Sequence, residues 1–263
     1  MAQEIVIGMP TVIGLGLASL TGVLLPAVLW MIWRKKSRAA WTPLLAGVVG
    51  YLFIGTARGL ARALLLTPMQ ATPWAFYLWQ AVFAGVFEEG GRYLIYRFVM
   101  PNRDRYPDAA SYGLGHGGLE HIIVNWNNAL FFGFVVGLIY HVQGMDGLLA
   151  AGMDADGLPE LLQDIADHSL FSSVLLMLDN IGSLLFQCSM SVLVFTAVHF
   201  DQSPRWFLAA IVLHVFADIL PAFHFAGDLT ETEMHILALL YMAGAVYLTY
   251  RVRTHFQQDR NFT

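Results

Sequence analysis

The sequence predicts an all-α fold, a polytopic bundle of about seven transmembrane helices in a single integral membrane domain over residues 1–263. Of the 263 residues, 57% are apolar and only 13% are charged. A soluble domain has about 25% charged residues, so a water-facing surface of the usual kind is excluded. Cys188 is the only cysteine in the sequence, which also excludes a disulfide-stabilised scaffold.

Seven apolar runs are long enough to cross about 30 Å of hydrocarbon as helices. They cover residues 5–33, 41–66, 74–100, 109–142, 169–200, 206–225 and 234–250. The fourth run has room for one tilted or broken helix, or for a helix with a re-entrant segment. We expect it to cross once, with a kink or break at Asn125, Asn127 and Asn128.

The cations predict how these spans are oriented. Ten of the 14 Lys and Arg residues flank the ends of spans on one side: Arg34, Lys35, Lys36, Arg38, Arg103, Arg105, Arg205, Arg251, Arg253 and Arg260. The connections on the other side, residues 67–73, 143–168 and 226–233, contain no Lys or Arg. The positive-inside rule then places the N-terminus outside and the C-terminus in the cytoplasm, which suits the plasma (inner) membrane of a prokaryote. We expect the acidic connection, residues 143–168, to be a solvated loop outside.

Ionisable residues inside spans are costly, so they mark candidate functional groups. The third span contains Glu88, Glu89 and Arg92, with Arg92 three and four residues after the two acids and therefore on their helix face. One Arg neutralises one carboxylate. The second carboxylate is left as a candidate general base, although a Glu–Arg pair that only fixes helix packing is the alternative.

The fourth run contains His116 and Glu120 on one helix face, within a segment rich in glycine that allows another helix or a substrate backbone to come close. Gly113, Gly115 and Gly118 also match the dinucleotide-binding pattern, but no strand precedes them, so we reject that match.

The sixth span contains His214 and Asp218, again four residues apart, so that Asp218 is able to orient the imidazole. A packing role alone remains the alternative for each pair. Measured from the predicted cytoplasmic ends at about 1.5 Å per residue, the groups on all three helices lie at overlapping depths of roughly 10–18 Å. Pairs that serve only packing would be scattered in depth, so this overlap predicts one shared site.

In order and spacing, the segments Glu88-Glu89-x-x-Arg92, Gly115-His116-Gly117-Gly118-x-Glu120 and His214-x-x-x-Asp218 resemble the YhfC family of intramembrane proteases. The resemblance covers about residues 5–250. That family is distantly related to the CAAX-protease and bacteriocin-processing superfamily and to PrsW.

The resemblance implies an enzyme in which Glu88 or Glu89 is the general base on a water that His116 shares or polarises. His214, positioned by Asp218, would donate to the oxyanion, and Arg92 would hold the unused carboxylate. A metal-dependent version would use Glu88, His116 and His214 as ligands to zinc, although the sequence has no H-E-x-x-H motif. The resemblance further implies an acid–Arg pair followed by a His in the fifth span. This sequence has Asp179, Asn180 and Gln187 there, which weakens the metal interpretation.

Three functions remain open from the sequence. The first is an endopeptidase that cleaves a membrane or lipidated peptide within the bilayer, with no nucleic-acid partner. The second is a proton-coupled transporter, because acids and histidines at mid-membrane also form proton relays. The third is a non-enzymatic scaffold or immunity-type protein in which the pairs serve packing.

Overall fold

The fold is described from a computed structural model for residues 5–65, 73–127 and 130–260. These residues contain no β-strand, as predicted, and their helices are α1 (Met9–Ser37), α2 (Trp41–Leu65), α3 (Pro73–Leu94), α4 (Tyr106–Asn127), α5 (Leu130–Ala150), α6 (Leu158–Asp167), α7 (Leu170–His199), α8 (Arg205–Phe225) and α9 (Glu231–Arg260). A π-helical turn, Ile95–Val99, continues α3.

Six helices in the described parts of the chain are long and apolar enough to cross a membrane, namely α1, α2, α5, α7, α8 and α9. The prediction of a helical integral membrane protein is therefore confirmed. The remaining predicted span corresponds mainly to α3, which has 22 residues and carries Glu88, Glu89 and Arg92. These charged residues make α3 more polar than an ordinary span. The orientation of the termini stays a prediction.

In the described residues, the fourth apolar run contains α4, up to Asn127, and α5, from Leu130. Of the two, α5 has the length and hydropathy of a membrane span. Asn125 and Asn127 lie within α4 and Asn128 lies outside the described residues, so the break predicted at the asparagines stays a prediction. Leu66, the predicted end of the second span, lies outside them as well.

The acidic connection is more ordered than the predicted solvated loop. Helix α5 reaches Ala150 across a kink at Gly144, whose φ is +67°, and α6 forms within the connection. Leu158, Leu162 and Ile165 of α6 are buried, whereas Glu160 and Asp164 are exposed. The apolar residues recur at helical spacing, so they provide a buried face that the high acidic content concealed.

By contacts, the chain divides into two compact units, one formed by Met1–Leu25 and His121–Asn180 and the other by Pro26–Glu120 and Ile181–Thr263. The first has a core that includes Val12, Val136 and Leu162. The second contains every residue of the predicted site, and its core includes Tyr96, Tyr112 and Phe195. That residues 1–263 form one integral membrane domain stays a prediction.

Glycines let α4 pack closely against α2 and α7 in the second unit. A Cβ atom at Gly115 would lie 2.1 Å from the carbonyl oxygen of Leu44 on α2, and one at Gly117 would lie 2.7 Å from Cβ of Gln187 on α7. Side chains at these positions would force the helices apart. The glycine-rich segment thus serves helix contact, which places His116 between neighbouring helices. Helix α3 packs against α2 and α8 in the same unit.

Candidate active site

The two adjacent glutamates of α3 have different partners. Both side chains are fully buried, as is that of Arg92. Nη1 of Arg92 donates to Oε1 and Oε2 of Glu89, at 2.8 and 3.1 Å. Nη2 of Arg92 is 3.7 Å from Oε2 of Glu88, beyond hydrogen-bond distance. Arg92 therefore neutralises Glu89, and the carboxylate left over in the sequence pattern is that of Glu88.

The carboxylate of Glu88 lies at the centre of the polar cluster. Its Oε1 accepts a hydrogen bond from Nη1 of Arg58 on α2. Its Oε2 is 3.2 Å from Nε2 of His116 and 3.6 Å from Nε2 of His214. One oxygen is therefore held by a cation, while the other faces two imidazole nitrogens from two other helices.

His214 has a different orienting partner from the one predicted. Its Nδ1 lies 2.5 Å from Oε1 of Glu89. Its Nε2 is 4.0 Å from Oδ2 of Asp218, which is too long for a hydrogen bond, and the Asp218 side chain is 41% exposed. The expectation that Asp218 orients His214 is thus corrected, because α8 packs on α3 and brings the ring to Glu89. Asp218 lies at the edge of the cluster.

Gln187 of α7 connects the acids to Arg92. Its buried amide accepts a hydrogen bond from Nη2 of Arg92 through Oε1 and donates from Nε2 to Oε2 of Glu120. The same Nε2 is 3.4 Å from Oε2 of Glu88. Glu120, predicted to share the site with His116, is therefore linked to Glu88 through Gln187.

His116 is fully buried and packed by aromatic rings. Tyr51 of α2 meets its imidazole edge to face, with the ring centroids 5.1 Å apart, and the Tyr112 ring is 5.8 Å away. Within the described residues, Nδ1 of His116 has no hydrogen-bond partner. The rings hold the imidazole so that Nε2 points at Glu88.

Three of these side chains form a group that is compatible with a metal ion. Glu88, His116 and Glu120 each offer one donor atom, and the three atoms lie within 4.8 Å of one another. Two donors of a tetrahedral zinc site, each about 2.1 Å from the ion, are about 3.4 Å apart, and the His116–Glu88 separation of 3.2 Å is close to this value. One nitrogen and two carboxylate oxygens are ligands that several divalent metals accept.

This group differs from the predicted ligand set of Glu88, His116 and His214. Glu120 takes the third place, because its donor atom lies within 4.8 Å of those of both Glu88 and His116. The predicted residues that the structure brings together are Glu88, Glu89, Arg92, His116, Glu120 and His214.

The sequence predicted no role for Arg58, and it marked Gln187 only as a departure from the family pattern. Arg58 lies inside an apolar run, and a cation there needs a buried partner, so its position could have predicted a role in the site. Gln187 is neutral and follows no spacing rule, so only the fold reveals its position. Asp179 and Asn180, two further polar residues of that span, belong to the first compact unit, where Nδ2 of Asn180 donates to the carbonyl of Ala18.

The fold and this cluster define a class of protein: an integral membrane protein of the helical bundle type, with a buried carboxylate–histidine centre able to accommodate a metal ion. A family model described as YhfC intramembrane metalloprotease matches residues 21–240. The chain therefore belongs to the YhfC intramembrane metalloprotease family.

The chain is also similar to a protein of Bacillus subtilis (strain 168) described as uncharacterized membrane protein YhfC. The two sequences are 26% identical over 255 residues, which cover 94% of this chain and 98% of that protein. No solved structure matches the chain. The family agrees with the resemblance found in the three polar segments.

Proposed function

We propose that this protein is an intramembrane endopeptidase of a prokaryotic plasma membrane, and that it hydrolyses a peptide bond of a membrane or lipidated peptide. The observation that carries the proposal is the position of Glu88, whose Oε2 faces Nε2 of His116 and Nε2 of His214 in a buried site. A packing pair needs one acid and one base. Here a second acid, held by Arg58 through its other oxygen, also faces two imidazoles.

In the metal-independent form of this proposal, Glu88 is the general base. Its Oε2 takes a proton from a water molecule while the water oxygen bonds to the carbonyl carbon of the substrate. When the carbon–nitrogen bond breaks, the carboxyl returns that proton to the leaving amine. Arg58 holds the other carboxylate oxygen, so that Oε2 keeps its direction.

His214 stabilises the oxyanion that forms when the carbonyl is attacked. Its Nδ1 is bonded to Glu89, which leaves Nε2 directed at the space beside Glu88. A donor that is fixed before the reaction contributes more to catalysis than one that must reorganise. Glu89 and Arg92 are positioning residues in this scheme, because they act through His214.

In a metal-dependent form of the site, Glu88 is a ligand rather than the general base: Glu88, His116 and Glu120 would hold a divalent metal ion, for which zinc is the candidate that suits nitrogen and carboxylate ligands. When bound, such an ion lowers the pKa of a water ligand and polarises a carbonyl oxygen. Gln187 donates to both acids, which fixes how their oxygens point. The family description as a metalloprotease supports this assignment.

The test is cleavage of a dye-labelled transmembrane peptide by the full-length protein in proteoliposomes. Glu88→Gln and His116→Ala are expected to lower the cleavage rate by at least about 100-fold, a typical loss for an acid–base group. Glu160→Gln and His255→Ala are matched controls, because both residues are exposed and outside the cluster. Thermal unfolding in detergent checks that each variant is folded.

If folded Glu88→Gln and His116→Ala variants cleave the peptide like the parent, the proposal fails. A parent that does not cleave but carries out proton-coupled uptake, lost in Asp218→Asn, would support the transporter instead. Variants that change only thermal stability would support the scaffold.

A further inference from the structure

A pocket distant in sequence from the polar cluster lies at the corner between α1 and α2. It has a volume of about 570 Å³ and is lined by Trp30, Met31, Arg34, Lys35, Arg38, Ala39 and Trp41. Three of these residues are cations, and no acid from the described part of the chain is among them. The pocket thus combines positive charge with two indole rings.

The guanidinium of Arg34 is held by these two rings. Its carbon lies 4.8 Å from the centroid of the Trp41 ring and 5.5 Å from that of Trp30. The two indoles are themselves in contact, with centroids 3.9 Å apart. A guanidinium stacked on aromatic faces keeps its N–H groups in a fixed plane, and this geometry suits bidentate binding of phosphate oxygens.

Arg38 is placed in the pocket by an unusual backbone conformation. Its φ is +53°, in the left-handed region, and its N–H donates to the carbonyl of Arg34 at 2.9 Å, which ends α1. Glycine or asparagine is the usual residue where a helix ends in this way. An arginine here costs conformational energy, and the charge that it adds to the pocket is a reason to retain it.

Contacts from Arg105 and from the first turn of α4 fix the corner. Nη2 of Arg105 donates to the carbonyl of Ser37 at 3.1 Å, and Nε1 of Trp33 donates to the carbonyl of Pro107 at 3.2 Å. These two hydrogen bonds fix the last turn of α1, where the connection to α2 begins. A pocket on a fixed turn is preorganised for a ligand.

The position of the pocket relative to the membrane indicates which ligands reach it. Both α1 and α2 have the length and hydropathy of membrane spans, so the turn that joins them lies at the level of the lipid headgroups. The cation pattern predicts that this end lies on the cytoplasmic side, where anionic phospholipids give the surface a negative potential. The indoles of Trp30 and Trp41 are suited to that interfacial level.

We propose that this pocket binds the phosphate-bearing headgroup of an anionic phospholipid, with the Arg34 guanidinium and the Lys35 and Arg38 cations around the phosphate. The site is independent of the proposed peptidase activity, since it shares no residue with the polar cluster. A lipid bound here would contact the C-terminal end of α1 and the N-terminal end of α2 at the membrane surface.

The experiment is native mass spectrometry of the full-length, delipidated protein titrated with dioleoylphosphatidylglycerol or with dioleoylphosphatidylcholine, whose headgroup has no net charge. We expect the anionic lipid to bind at least about tenfold more tightly, because two or more cations near the membrane surface contribute. Arg34→Gln and Arg38→Gly should each lower its affinity by roughly fivefold and leave phosphatidylcholine unaffected.

Two features make the variants informative. Arg38→Gly removes the charge but supplies the residue that prefers a left-handed conformation, so loss of binding cannot be attributed to a broken turn. Lys36→Gln is the matched control, because Lys36 is exposed beside the same turn but does not line the pocket. It is expected to change the affinity less than twofold.

Equal affinity for the two lipids overturns the proposal, as does an Arg38→Gly protein that binds phosphatidylglycerol like the parent. A third titration with inorganic phosphate separates the possible sources of the phosphate. Displacement of phosphatidylglycerol only at millimolar phosphate supports a lipid site, whereas micromolar phosphate binding with no preference for the anionic lipid shows a soluble ligand instead.

Discussion

Nδ1 of His214 lies 2.5 Å from Oε1 of Glu89, a residue 125 positions earlier in the chain that Arg92 holds at the same time. One carboxylate therefore connects a cation on its own helix to the imidazole of another. This contact assigns the two adjacent acids of α3 to different tasks, since it engages Glu89 and leaves Oε2 of Glu88 facing the centre of the cluster.

Replacing Glu89 should reduce activity through His214. We expect Glu89→Gln to lower kcat for the model transmembrane peptide by roughly 10- to 100-fold, with KM little changed, as for other groups that orient a reacting side chain. Asp218→Asn is the comparison, because Asp218 is 4.0 Å from His214 and 41% exposed. A larger loss of kcat in Asp218→Asn than in Glu89→Gln would restore Asp218 as the orienting group.

The geometry of the cluster predicts which variants lose metal. Glu88→Gln, His116→Ala and Glu120→Gln should each reduce the metal content of the purified protein, with affinity lowered by at least about tenfold. His214→Ala should retain the metal, because Glu120 rather than His214 completes the group. The measurement is elemental analysis by mass spectrometry after dialysis against zinc.

The exposed Glu160→Gln provides the matched control for that series. If His214→Ala loses zinc and Glu120→Gln keeps it, the ligand set is the one that the family resemblance implied from the sequence.

Gln187 should matter for stability although it carries no charge. Gln187→Leu leaves Nη2 of Arg92 and Oε2 of Glu120 without the amide that bonds them, and a buried polar group left unpaired costs about 1–3 kcal/mol. We therefore expect a lower midpoint of thermal unfolding in detergent. Gln163→Leu, at an exposed position of α6, is the control and should shift the midpoint little. Equal midpoints for the two variants would contradict a role for the Gln187 amide.

Adding even a methyl group at a closely packed glycine of α4 should destabilise the protein. In Gly115→Ala the new Cβ would meet the Leu44 carbonyl oxygen at 2.1 Å, so α2 and α4 must separate, at a cost of about 1–3 kcal/mol. In Gly90→Ala, on α3, nothing lies within 4 Å of the new atom, so this variant should be neutral or slightly stabilising. Thermal unfolding of both variants measures the difference, and similar midpoints would show that α4 does not pack as described.

The fold class was readable from composition and run length because a bilayer imposes a strict requirement. A helix that crosses hydrocarbon needs about 20 apolar residues, and such runs are evident in the sequence without knowledge of their neighbours. The short helix α6 was not predicted, because its apolar face of Leu158, Leu162 and Ile165 is hidden among acids and needs a core to bury it.

The sequence by itself determined that this chain is a helical membrane protein, and it supplied the list of acids and histidines that are costly inside a bilayer. Spacing along one helix predicted pairs such as Glu88 with Arg92 and His214 with Asp218, because helical geometry relates residues three and four apart. Arg92 does pair with Glu89, three residues before it, but tertiary structure decided the other partners of Glu88 and His214. Packing of α8 on α3 brought His214 to Glu89, and α2 and α7 contributed Arg58 and Gln187. Contacts between helices depend on how their faces meet, and no periodicity within a single helix contains that information.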